Sequence, residues 1–194
     1  MDFTGAKEYI LERIKLELDP RLEYHTIEHT LDVLNAAIII AEKEGIGKYE
    51  LELIKTGALF HDSGIIKTYI GHEHASIQIA RDVLPKFDYT KEEIDRIAHM
   101  IMATQLPQDA SSFLEQILCD ADLDYLGRDD FFMVSLRLFQ EWNVLGIKNL
   151  SLKEWYNLQV EFLSSHKYFT RCAIDMRRKK KLENLKQIKE LLSI

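Results

Sequence analysis

Four residues of metal-ligand type stand out in this chain: the adjacent pair His61 and Asp62, with His29 upstream and Asp122 downstream. Neutral imidazoles and carboxylates together make a divalent-metal site. Asp62 stands near the end of an apolar run, Leu51 to Phe60, that stops at Gly64, so its charge opposes the negative C-terminal end of a helix dipole. A cation beside it removes that conflict. His25, Glu28 and His29 fall at i, i+3 and i+4, the spacing that lets side chains converge from one side of a helix start.

The elements that must position these residues read as all-α. Three prolines and eight glycines in 194 residues leave long stretches of Leu, Ile, Glu and Lys, with apolar residues recurring at three and four. Ile27, Leu31, Leu34, Ile38 and Ala41 form one helical stripe, ended by Gly45 and Gly47. Further helices are expected at 4–17, 49–62, 73–84, 90–103, 111–126, 129–145, 151–165 and 170–192, and Thr90 with Glu93 makes a capping box. Between His29 and His61 there is room for a helix, a turn and a second helix returning antiparallel, so His61 can face His29. His61 is in register with Leu51, Ile54 and Ala58, on the edge of the buried stripe. From Ile117 to Leu126 three carboxylates, Asp120, Asp122 and Asp124, alternate inside an apolar helical run. At least one is pulled toward the core, and periodicity does not say which binds metal.

Bulk properties narrow the function. A net charge of −7 and a pI near 5.5 argue against nonspecific binding to nucleic acid or anionic lipid. The first ten residues carry mixed charges without an apolar core, unlike a secretory or transit signal. The longest apolar stretch, Val33 to Ala41, is far below the roughly 20 residues a membrane span requires. A cytoplasmic protein without a membrane segment is expected. Cys119 and Cys172 read as free packing thiols. No repeat or linker interrupts the chain, so one domain over 1–194 is expected, with a motif core at about 24–130 and C-terminal helices packed on it. The basic run Arg177 to Lys181 reads as a solvated helix face, and His166 near Tyr168 as packing.

Tyr24-His25-Thr26 with Glu28-His29-Thr30, then Leu59-Phe60-His61-Asp62, then Asp120-Ala121-Asp122-Leu123, resembles the HD-domain superfamily of metal-dependent phosphohydrolases. Gly71-His72-Glu73, Ile101-Met102-Ala103-Thr104 and Leu126-Gly127-Arg128 are similar to one uncharacterised bacterial branch of it. The resemblance implies a compact multi-helix bundle around a central metal site, with His29, His61, Asp62 and Asp122 as ligands. It favours Asp122 among the three aspartates because it precedes the leucine. His25 and Glu28 are then expected behind the ligands, orienting His29 or closing the pocket.

The activity implied is hydrolysis of a phosphoester or phosphoanhydride by a metal-activated water, on a nucleotide or another small phosphorylated metabolite. Asp62 is the central catalytic residue, with His72 or Glu73 as general acid or base; helix capping is the alternative use of the last two. Phosphate oxygens need cations, and Lys67, Arg96 and Arg128 lie near the motifs, Arg128 being favoured and a surface ion pair its alternative. The ligand set suits Mn²⁺, Fe²⁺, Co²⁺, Ni²⁺ and Zn²⁺, and Mg²⁺ less well. Two-metal members of the superfamily add two further histidines. His72 matches the first, the second would fall near Ala103 to Gln105, and His99 lies a turn early, so one ion is expected and not a second. Two other readings compete with the hydrolase: a non-catalytic module binding metal and a nucleotide-like ligand, and a di-iron oxygenase.

Overall fold

The structure, a computed structural model, describes residues 1–193; Ile194, the last residue of the expected domain, lies outside them. Among the described residues there are nine α-helices and no strand. They are α1 (Phe3–Glu17), α2 (Ile27–Lys43), α3 (Lys48–Phe60), α4 (His72–Val83), α5 (Lys91–Ala103), α6 (Phe113–Asp122), α7 (Phe131–Val144), α8 (Leu152–Ser165) and α9 (Arg171–Leu192). No described helix is long and apolar enough to cross a membrane. The Thr90–Glu93 capping box opens α5 as the spacing requires, and Ser112–Glu115 and Ser151–Glu154 open α6 and α8 in the same way.

The apolar stripe of α2 packs on α3 and α6, and α5 packs on α3, α4 and α6. Their shared core buries Ile40, Leu53, Leu59, Phe60, Ile97 and Leu118 completely or nearly so. A second cluster, with Tyr24, Leu123, Tyr125, Phe131, Leu163 and Ile188, joins the start of α2 to α7, α8 and α9. The end of α6 bridges the two, since Ala121 belongs to the first and Leu123 to the second.

Two helices stop earlier than periodicity predicts, and both stops fall at the motifs. α3 ends at Phe60, so His61 caps it and Asp62 leads into a 3-10 turn, Ser63–Ile66. α6 ends at Asp122 and is followed by a second 3-10 turn, Asp124–Gly127, instead of running to 126. That turn is pressed onto α9: a Cβ on Gly127 would lie 2.4 Å from the Arg177 carbonyl oxygen. The alternating aspartates divide three tasks. Asp120 accepts the N–H groups of Phe169 and Thr170 at 2.8 and 2.7 Å ahead of α9, Asp124 accepts from Arg177 Nε at 2.6 Å, and Asp122 turns to the histidines.

The basic run is less solvated than its composition predicts. Arg177 pairs with Asp124, Lys180 with Asp129, and Lys181 is 5% exposed, donating to the His166 carbonyl at the C-terminus of α8. A buried ammonium is tolerated there because it meets the negative end of a helix. Cys119 and Cys172 are buried free thiols.

Gly64 lets the His61–Asp62 turn touch the next helix. A Cβ there would sit 2.0 Å from the His72 carbonyl oxygen and 2.4 Å from the Ser76 nitrogen, and the Gly64 N–H donates to Ser76 Oγ at 2.7 Å. Gly64→Ala must therefore push α4 away. It is expected to cost about 3 kcal/mol in a denaturant melt, as overpacking does, and an unchanged midpoint would contradict this packing.

Candidate functional site

The end of α3, the first turn of α2 and the end of α6 bring four side chains to one point. His29 Nε2 lies 3.3 Å from Asp62 Oδ2 and 3.4 Å from Asp122 Oδ1, and His61 Nε2 lies 3.1 and 3.5 Å from the same atoms. One donor atom from each of the four falls within 4.8 Å of every other. Both imidazole Nε2 atoms are buried and make no hydrogen bond. His61 Nδ1 is 2.8 Å from the Ala58 carbonyl oxygen and must donate to it, which turns Nε2 to the carboxylates, as a lone pair when the ring is neutral and as an N–H when it is charged. Burial alone would push the Asp62 carboxyl up, yet the imidazole of His61 and contacts from His29, His61 and His72 hold it well below the usual carboxylate range.

These residues fit a divalent ion. Ligand bonds of about 2.1 Å at right angles or tetrahedral angles separate donor atoms by roughly 3.0–3.4 Å, close to the distances between the imidazole and carboxylate atoms here. Orphaned imidazole nitrogens, a fixed tautomer and two carboxylates form the donor set such ions take.

Asp62 faces a second group with its other oxygen. His72 Nε2 is 3.1 Å from Asp62 Oδ1, its Nδ1 is 2.9 Å from the Tyr69 carbonyl, and His25, Asp62 and His72 also bring donor atoms within 4.8 Å of one another. Both nitrogens of His72 thus meet acceptors; although burial disfavours its charge, Asp62 raises its pKa to about 9. Glu73, buried, lies beside it and accepts from Gln105 Nε2 at 3.3 Å.

His25 is held from behind by a residue that no motif marks. Glu141 of α7 is fully buried; one carboxylate oxygen accepts the N–H groups of Glu23, Tyr24 and His25 at 3.0, 2.8 and 3.1 Å. The other takes His25 Nδ1–H and, at 2.8 Å, the Tyr69 hydroxyl. The sequence signal was present: Glu141 stands on the stripe of Phe131, Ser135 and Leu138, where an apolar residue is expected.

A cavity of about 310 Å³ opens onto this cluster. Tyr24, His25, Asp62, His72, Glu73 and Asp122 form one end. The far wall comes from α7 and α8, with Leu138, Trp142, Trp155, Leu158, Gln159 and Phe162, and Lys148 also lines it. Trp142 and Trp155 meet edge to face, 5.4 Å apart, and Lys148 Nζ lies 4.8 Å over the Trp142 ring.

The expected phosphate cations lie elsewhere. Lys67 is exposed and lines no part of this cavity. Arg128 sits in a neighbouring depression with Glu28 and His29, and its guanidinium is occupied by Asp32 at 2.6 Å and Asp130 at 2.7 Å. Arg96 pairs with Glu50 at 3.2 Å. Glu28 is exposed, on the side of His29 away from the cavity lining. Lys148, in the loop after α7, had no motif to reveal it.

The sequence comparisons agree with this geometry. The HD domain model matches residues 26–124, and the chain belongs to the HD-domain family. An uncharacterised protein of Clostridium beijerinckii is 33% identical over 97 residues, which span 48% of this chain and 61% of that protein. The fold is similar to a predicted HD superfamily hydrolase from an uncultured Thermotogales bacterium, with a TM-score of 0.64 at 21% identity over 98% of this chain and 91% of the other. It is similar as well to Bacillus subtilis YpgQ in complex with ADP, with a TM-score of 0.68 at 21% identity over 98% and 95% of the two chains.

Glu141 supplies a test of the support behind the site. Burial favours its neutral acid, but His25, the Tyr24 N–H and the Tyr69 hydroxyl hold its carboxyl below the ordinary 4.5. Its contribution is therefore full above about pH 4.5 and fades as pH falls through the lowered value. Glu141→Ala is expected to lose about 3 kcal/mol at pH 7, because buried donors are left unpaired, and the gap from wild type should narrow below pH 4.5. A gap independent of pH would show that the carboxylate charge is not what holds the loop.

Proposed function

We propose that this protein is a metal-dependent phosphohydrolase that cleaves a phosphoester or phosphoanhydride of a nucleotide. The observation that carries the reading is the pair of buried, unpartnered imidazole nitrogens of His29 and His61, facing two aspartates at the end of an otherwise aromatic cavity. His29, His61, Asp62 and Asp122 hold one divalent ion. Such an ion, when bound, acidifies water to a nucleophile and screens charge on phosphate.

The chain's own groups do the rest. Asp62 Oδ1 accepts from His72 Nε2–H and so keeps this proton source at the cluster end of the cavity; the proton leaves that hydrogen bond for the leaving oxygen as the P–O bond breaks. Glu73 keeps that ring in place from the adjoining position. Lys148 binds the phosphate in place of Lys67 and Arg128, because it is the lysine or arginine that lines this cavity, and its Nζ lies over the Trp142 ring. Tyr24 packs on His29 with ring centroids 4.5 Å apart and holds that imidazole in place. The aromatic wall favours a flat ring at the other end of the substrate, and the ADP held by the B. subtilis protein of the same fold supports a nucleotide.

Metal content of purified wild type and Asp62→Ala, measured beside phosphate and pyrophosphate release from a nucleotide panel, tests this reading. One ion per chain and turnover are expected, both lost in the variant. Metal retained by Asp62→Ala would sink the site; ligand binding without turnover would make the protein a regulatory module; two ions would enlist His25 and His72 as ligands. Metal at a thousandfold its Kd should raise stability by about 4 kcal/mol, a gain abolished by a chelator. Lys148→Ala is expected to raise KM about tenfold with kcat nearly unchanged, the pattern of lost ground-state binding, whereas an unaltered KM would remove Lys148 from the substrate.

A further inference from the structure

We propose that Gln159 reads the edge of a nucleobase in the aromatic half of the cavity, and so determines which nucleotides are accepted. The proposal deepens the nucleotide reading above and rests on it for the identity of the occupant. Gln159 is on α8 in register with the buried Trp155 and Leu163, yet it is an amide where the stripe calls for an apolar side chain. It is 5% exposed, it lines the cavity, and its Oε1 is buried without a hydrogen-bond partner.

Nearby donors do not relieve it. The Trp155 indole N–H is spent on Ser135 Oγ at 3.1 Å, and no described residue donates to Gln159. A buried amide oxygen without a donor is rare in folded proteins and points to a partner that is not part of the chain. The partner must bring an N–H or O–H, and beside it an acceptor for the Gln159 amide nitrogen. Turning the amide over exchanges its two atoms but leaves the same paired demand.

The walls restrict what can bring that pair. Trp142, Trp155 and Phe162 line the same cavity as Gln159 and bring aromatic surface to it, with Leu158 beside them, which favours stacking on a planar ring. On the nucleotide reading the heteroaromatic ring is a nucleobase, whose edge carries adjacent donor and acceptor atoms, and a planar amide pairs with such an edge in two-pronged fashion. An acyl chain would fill the space and leave Oε1 unpaired, and a bare sugar phosphate has hydroxyls to pair with it but no flat ring for the aromatic wall. A site built around a required donor rejects an analogue lacking it far more strongly than an apolar pocket can.

The two tryptophans in the chain are Trp142 and Trp155, both in this cavity, so intrinsic fluorescence reports occupancy without metal or turnover. The full-length protein and Gln159→Leu would be titrated with adenosine, cytidine and guanosine, and with purine riboside, whose ring edge has no N–H. At least one of the three is expected to bind wild type tenfold or more tightly than purine riboside, and Gln159→Leu should erase the difference while keeping its circular dichroism. Purine riboside binding as tightly as all three, no binding by any nucleoside, or a preference that survives in Gln159→Leu would overturn the proposal. If Gln159→Leu does not fold, Gln159→Met, an unbranched apolar side chain of similar length, takes its place with the same expected result. Base preference that depends on Gln159 without phosphate release would overturn the hydrolase reading alone; nucleotide hydrolysis with a kcat/KM indifferent to Gln159→Leu would overturn this inference alone.

Discussion

The carboxylate of Asp62 is the constraint around which this molecule is arranged. It is buried at the point where a helix has just ended, against the negative pole of that helix, and three imidazoles converge on it. An unpaired charge in that position would cost several kcal/mol, so the surrounding backbone is committed to supplying partners. α3 stops at Phe60 to place His61 and Asp62 side by side, α6 stops at Asp122 to bring a second carboxylate, and Gly64 lets α4 come close enough for His72 to reach the second oxygen. Two carboxylates gathered with two imidazole Nε2 atoms form an arrangement that a cation can complete.

A second buried carboxylate joins this centre to the rest of the chain. Glu141 gathers three backbone N–H groups, His25 and Tyr69, so the loop entering α2 and the turn entering α4 are both fastened to α7. The helix that bears the far wall of the cavity thus also fixes the position of its near wall. Asp120 and Asp124 perform the corresponding task for α9, one through the backbone ahead of the helix and one through Arg177.

The helical class and the converging quartet could be read from residue types and spacing because each rests on local rules: apolar recurrence at three and four, glycine stops, and ligand-type residues set against an apolar stripe. The ends of α3 and α6 could not, since each lies at a tertiary contact, the turn after α3 with α4 and the turn after α6 with α9. Nearness to the motifs along the chain puts forward Lys67, Arg96 and Arg128 as phosphate cations. Folding instead leaves Arg128 enclosed by Asp32 and Asp130 and brings Lys148, far from every motif, to the cavity. Glu141 and Gln159 share one overlooked signature, a polar residue in an apolar register, and only the three-dimensional arrangement separates the structural bridge from the unpaired amide.

The cavity has two walls of different origin in the chain. Ligand-type side chains come from the stretch the family model covers, 26–124, and its immediate neighbours, while the aromatic and amide wall comes from 138–162, outside that stretch. Under the proposed function, reactivity and discrimination would therefore rest on separate segments. Substitutions in α7 and α8 would change which ligand fits while leaving the four candidate ion ligands in place, provided Glu141 is kept. Membership of the family would then foretell the kind of bond broken better than the molecule that carries it.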